Sequence, residues 1–84
     1  MNKLWTDDGW VDYLYWHSQD KKTLKRINEL IKDIERNGAL DGIDKPEALK
    51  YRKGFCQRID ETNRLVYAID ENGVLLIISC RGHY

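Results

Sequence analysis

The sequence is short of the residues that would place it in several large classes of protein. Only two cysteines occur, Cys56 and Cys80, each in an apolar, strand-like run where a free thiol behaves as a small hydrophobe, so no disulfide framework is expected. Cys56, Cys80, His17 and His83 show none of the paired spacings that zinc sites favour, and neither a metal nor another cofactor is expected. The longest aliphatic run, Val74 to Ile78, is far too short to span a bilayer, and charges interrupt the N-terminal stretch where a signal peptide needs an apolar segment. A reducing cytoplasm fits these features, with no role at a membrane. Repeats, low-complexity tracts, a P-loop, a dinucleotide fingerprint and a nucleophile elbow are all missing. Net charge is missing too: fourteen basic side chains cancel fourteen acidic ones, so charge alone gives no sign of a polyanionic partner.

What is present points to one small domain over residues 1–84. Hydrophobic residues at 42% and three tryptophans supply a core, and 33% charged residues supply a soluble surface. The charges are unevenly spread. Residues 1–20 carry Lys3 against Asp7, Asp8, Asp12 and Asp20, whereas residues 21–36 hold Lys21, Lys22, Lys25, Arg26, Lys32 and Arg36 against Glu29, Asp33 and Glu35. Residues 45–64 repeat the basic excess. Solvated helix and strand faces are one reading of these clusters; a phosphate-facing ridge is the other.

Along the chain, Lys3-Leu4-Trp5 reads as a short strand and Thr6 as an N-cap, with Asp7 and Asp8 in the first turn where carboxylates complement the helix dipole. Trp10, Tyr13, Leu14 and His17 follow at helical spacing, and this aromatic stripe is expected to face the core. Asp20 caps a second helix, with Leu24, Ile27, Leu30, Ile31 and Ile34 on one face and Asn37-Gly38 as its stop. Residues 37–46 form a polar connector. Phe55–Asp60, Arg64–Asp70 and Val74 to about Gly82 read as strands, with Glu47–Lys50 a further short one. The fold class is therefore α+β: two N-terminal helices on a curved antiparallel sheet, in the order βααβββ.

The turn at Asn72-Gly73 sets the register. A two-residue loop places Glu71 against Val74, Arg64 opposite Arg81, Val66 opposite Ser79 and Ala68 opposite Ile77, with Leu65, Tyr67, Ile69, Leu76, Ile78 and Cys80 on the other face, under the helices. A three-residue loop with a glycine bulge shifts that register by one. In the first register His83 lies diagonal to Arg64, so two arginines and a histidine converge. Like charges across a strand pair call for an anion between them or for a neighbouring carboxylate such as Glu47, Asp60 or Glu61. A histidine there could act as an acid or base tuned by a phosphate, and Glu47, after the rigid Pro46, could be its complement.

Whole stretches carry a resemblance. Trp10-Val-Asp-Tyr-Leu-Tyr-Trp16, Ile27-Asn-Glu-Leu-Ile-Lys-Asp33, Lys45-Pro-Glu-Ala-Leu-Lys50, Arg64-Leu-Val-Tyr-Ala68 and Cys80-Arg-Gly-His-Tyr84 closely resemble the YoeB-type, or Txe-type, toxins of the RelE/ParE superfamily, end to end. The resemblance implies the RelE-like fold and a metal-independent, ribosome-dependent mRNA endonuclease of a type II toxin–antitoxin system. Such a toxin enters the A site on the ribosome's smaller half, cuts the exposed codon and is held inactive by a YefM-type antitoxin. Homodimers occur in this branch. By the same resemblance Glu47 takes the proton from the ribose 2′-OH, Arg64 stabilises the phosphorane-like transition state, His83 protonates the departing 5′-oxygen, and Tyr84 helps to orient site or substrate. Lys50 and Arg58 match basic positions near the scissile phosphate, and Arg81 joins them as a candidate substrate contact. Gly82 and Cys56 depart from the pattern, standing where a family relative carries aromatic residues, which implies a different arrangement for stacking a base. Two other functions remain open at this point: a ParE-like toxin that blocks a topoisomerase without cutting, and a co-repressor that binds nucleic acid only with its antitoxin.

Overall fold

The computed structural model describes residues 1–38, 46–50 and 53–82. Strand β1 (Lys3–Trp5) leads into helices α1 (Asp7–Gln19) and α2 (Lys21–Asn37), followed by β2 (Glu47–Ala48), β3 (Phe55–Arg58), β4 (Arg64–Ile69) and β5 (Leu75–Ser79). The expected connector falls mostly on residues 39–45, outside the described residues.

Both helices begin where side chains can satisfy their free N–H groups. Thr6 Oγ1 accepts from the Gly9 N–H at 2.9 Å, and Asp20 Oδ1 accepts from the Lys22 and Thr23 N–H groups at 3.0 and 3.3 Å. These bonds to the charged form hold the Asp20 carboxyl below its ordinary range, the Thr23 hydroxyl bond contributing most. Gly38, at φ 87°, ends α2.

The five strands lie in the order β1-β5-β4-β3-β2. The sheet is mixed, not wholly antiparallel, because β1 pairs with β5 in parallel. A parallel pair needs a long crossover, and the whole chain between these two strands provides it.

The β4–β5 hairpin holds two offsets that cancel. Asp70 and Val74 close a three-residue loop, the Asp70 N–H donating to Val74 O and the Gly73 N–H to Asp70 O, both at 3.0 Å, with Gly73 at φ 78°. Near the turn the pairs are therefore Ile69 with Leu75, Ala68 with Leu76 and Tyr67 with Ile77. A bulge between Val66 and Tyr67 then restores Val66 opposite Ser79. The two-residue expectation is thus corrected at the turn, where Ala68 does not meet Ile77, and met at the far end. One consequence is that Leu75 and Ile77, not Leu76 and Ile78, enter the core.

That core joins Ile27, Leu30, Ile31 and Ile34 of α2 to Leu65 and Tyr67 of β4 and to Leu75 and Ile77 of β5. Strand alternation sends Gln57 to the same side, where its Nε2 donates to the Tyr67 hydroxyl at 3.0 Å. Burial in turn pushes the Tyr67 phenol above its ordinary range. Helix α1 behaves differently from expectation. Its one buried residue is Gly9, and Trp10 and Leu14 remain 46% and 47% exposed. Gly9 is the reason: a Cβ there would come within 2.6 Å of Ile77 O, so α1 lies against β5 on its glycine side and turns part of the aromatic stripe outward. The exposed Trp10 ring instead stacks on Tyr13 at 5.9 Å and meets Trp5 edge-on at 5.7 Å.

Candidate active site

Alternation along β3 and β4 gives the sheet a second face, turned away from the α2 core. Register brings Glu47 opposite Cys56, Cys56 opposite Val66, and Arg58 opposite Arg64, so these side chains share that face. Arg64, the first residue of β4, reaches across two neighbouring strands. Its Nε donates to Cys56 Sγ at 3.3 Å, and its Nη2 meets Glu47 Oε1 at 3.2 Å. The hydrogen bond to Cys56, with a smaller contribution from Glu47, holds the guanidinium above its ordinary range despite partial burial. Arg64 is only 20% exposed at the side chain, whereas Glu47 is 69% exposed, so the pair joins a seated cation to a carboxylate open to solvent.

Two sequence-predicted residues, Glu47 and Arg64, are thus in contact, and Arg58 directly faces Arg64. The like-charged pair across the strands is Arg58 with Arg64, and Glu47 offsets part of its repulsion. Lys50 is exposed shortly after β2. Arg81 does not converge on Arg64: its Cζ lies 3.5 Å from the centre of the Tyr15 ring, a cation–π contact that turns it towards α1. His83 and Tyr84, and with them the expected diagonal from His83 to Arg64, lie outside the described residues.

The backbone just before His83 is held firmly. The Cys80 N–H donates to Asp12 Oδ2 at 3.0 Å, and Trp16 Nε1 donates to Cys80 O at 2.8 Å. Next, the Gly82 N–H donates to Asn63 Oδ1 at 2.7 Å, and the Arg64 N–H donates to Gly82 O at 3.1 Å. Asn63 is itself oriented by Asp60, whose carboxylate accepts from its backbone N–H at 2.7 Å and its Nδ2 at 3.1 Å. Two turns of α1 and one loop therefore anchor the chain up to the residue preceding His83. Burial, and secondarily Asp12, push the Cys80 thiol up to about 12. Sequence reasoning missed Asp12, Tyr15, Trp16 and Asn63 as parts of the site, and marked Cys56 only as a departure from the family pattern, not as a partner of Arg64. Asp12 and Trp16 at i and i+4 do fall on one helix face, but which strand end they meet is a tertiary fact.

The fold is that of a small α+β toxin of the RelE/ParE kind, aligning with the YoeB/ParE toxin from Agrobacterium tumefaciens at a TM-score of 0.92 and 34% identity over 100% of both chains. Residues 5–84 match the family model described as "YoeB-like toxin of bacterial type II toxin-antitoxin system", and the chain belongs to that family. Toxin YoeB of Escherichia coli K12 is 49% identical over 86 residues, covering 100% of both chains. Among solved structures, the YoeB dimer of Staphylococcus aureus aligns with a TM-score of 0.91 at 44% identity, covering 100% of this chain and 98% of that one. A heterotetrameric YoeB–YefM toxin–antitoxin complex from the same species aligns at 0.89 and 45% identity, with the same coverage. No helix among the described residues is long and apolar enough to cross a membrane.

Proposed function

We propose that this toxin is an endoribonuclease that cleaves mRNA in the A site of the ribosome and so stops translation. The contact between Glu47 and Arg64 carries the reading. At 3.2 Å it sets an exposed carboxylate beside a seated guanidinium, which is what attack of a 2′-OH on a neighbouring phosphate requires. A ribose hydroxyl is a poor nucleophile and an alkoxide a poor leaving group. Glu47 takes the 2′-OH proton, Arg64 stabilises the negative charge of the phosphorane-like transition state, and His83 gives a proton to the departing 5′-oxygen. Tyr84 orients the site or the substrate. Arg58, facing Arg64, and Lys50 contact the flanking phosphates, and Arg81 binds farther out, over Tyr15. The products are a 2′,3′-cyclic phosphate, or the 3′-phosphate from its hydrolysis, and a 5′-hydroxyl. No metal enters the reaction.

With a net charge of zero, docking on the ribosome falls to local basic clusters, the 21–36 ridge and the 45–58 segment. The YoeB–YefM complex and the YoeB dimer of Staphylococcus aureus support a YefM-type antitoxin as the inhibitory partner and a homodimer as the free form. The site of action is the cytoplasm, where ribosomes translate.

Purified toxin added to translating ribosomes, with mRNA 5′ ends mapped and their chemistry determined, tests the proposal. New 5′-hydroxyl ends in the A-site codon are expected, and a codon carrying a 2′-deoxyribose at the cleaved position should survive. Cleavage of the deoxy codon, or none of either, contradicts it.

A further inference from the structure

We infer that Cys56 is a positioning residue that orients the Arg64 guanidinium for phosphate; the inference deepens the nuclease reading of the same site and rests on it. An arginine side chain presents five N–H donors in a rigid planar fork, but the fork turns freely about its last bonds unless something holds it. Here Nε, the donor nearest the stem, is held by Cys56 Sγ at 3.3 Å, and Nη2 by Glu47 Oε1 at 3.2 Å. Two contacts at separate corners of one plane fix its rotation. The remaining donors, both on Nη1 and the second on Nη2, are then available as a fixed set for phosphate oxygens.

The strand register makes this arrangement specific. Glu47, Cys56 and Val66 are successive partners across β2, β3 and β4, and Arg64 starts β4 two residues before Val66. The guanidinium therefore crosses over Cys56 on its way to Glu47, and the sulfur is the polar atom beneath that crossing. Cys56 itself is buried at 5% exposure, so it is placed to hold the arginine and not to meet substrate. Without the sulfur, Arg64 keeps its ion pair with an exposed, rotatable Glu47 and loses the contact that orients its plane. Such a loss lowers the transition-state contribution of Arg64 without greatly changing how tightly mRNA and ribosome bind.

The test compares Cys56→Val, which keeps an apolar side chain suited to a strand but accepts no hydrogen bond, with Cys56→Ser, which retains an acceptor, and Cys56→Ala, which only truncates. Cleavage of mRNA on programmed ribosomes should show kcat reduced about five- to tenfold in the Val and Ala variants with KM within about twofold, and kcat largely retained in Ser. In an Arg64→Lys background, which has no Nε–H at that place, Cys56→Val should cause no further loss. Solvent exchange of the Arg64 Nε–H, followed by NMR in the intact toxin, gives a readout independent of catalysis: protection in the wild type and Ser, loss in Val and Ala. Equal kcat in wild type and both acceptor-free variants overturns the inference while leaving the nuclease reading intact. If wild type itself cuts nothing, the nuclease reading falls, and unchanged Nε–H protection in Val and Ala overturns the positioning role on its own.

Discussion

The two helices have similar lengths and lie on the same sheet, yet they do different work. Helix α2 buries Ile27, Leu30, Ile31 and Ile34 and supplies the apolar surface that closes the core. Helix α1 fully buries only Gly9; Tyr13 and Trp16 pack half-buried against the edge of that core, and Asp12 and Trp16 also hydrogen-bond the backbone of Cys80. One helix provides stability, which is roughly proportional to apolar area and indifferent to direction. The other adds placement, which depends on the direction of its hydrogen bonds. Between them α2 closes the core and α1 holds the backbone at Cys80.

Substitutions should separate the two roles. Leu30→Ala in α2 is expected to show the largest loss of stability, about 2–5 kcal/mol in urea unfolding, because the side chain is fully buried and leaves a cavity. A loss below that of any α1 truncation would break the comparison. Gly9→Ala is next, at about 1–3 kcal/mol, since the new Cβ would press on Ile77 O at 2.6 Å; alanine is the better helix former, so a gain in thermal midpoint would show that α1 does not rest on β5 through this residue. Trp16→Phe removes one hydrogen bond to Cys80 O and should cost about 1 kcal/mol of stability, but lower ribosome-dependent cleavage by more than that loss accounts for. Equal, small effects on both measurements would reduce α1 to a second packing element.

The Cys80 thiol offers a pH test of the same anchor. Its folded value of about 12 lies above the unperturbed value of 9.0, so the folded state favours the neutral thiol. The stability this gives is complete below the unfolded value and is lost as pH rises towards the folded one. Unfolding free energy should therefore fall between about pH 9 and 12 more steeply in the wild type than in Cys80→Ala. Parallel curves would contradict burial of the thiol. Leu14→Ala, on the exposed face of α1, should change stability least, by no more than about 0.5 kcal/mol.

Much of this arrangement could be read from residue order, and particular residues show where the reading stopped. Helix α2 was legible because its apolar period and its caps, Asp20 and Gly38, agree. The aromatic stripe of α1 misled because Trp10 and Leu14 obey the same period, while the residue that decides which side turns inward, Gly9, has no side chain to signal it. At the hairpin, Asn72-Gly73 marked the turn but not its length, and the bulge beside Val66 that corrects the register has no sequence mark of its own. The pairing of Glu47 with Arg64 joins a post-proline segment to a strand start 17 residues later, by residue number, and local pattern cannot specify such a contact. There the family resemblance named the residues, and the strand register explains why they meet.

The central claim is that Glu47 and Arg64 form a cleaving centre on the face of the sheet away from the α2 core. Single-turnover cleavage of mRNA on programmed ribosomes, measured for wild type, Glu47→Ala and Arg64→Ala alongside each protein's urea midpoint, tests it most directly. A fall in rate of about a hundredfold or more in each variant, with midpoints close to wild type, is the predicted result. Rates that stay within a few-fold of wild type in both folded variants would contradict it.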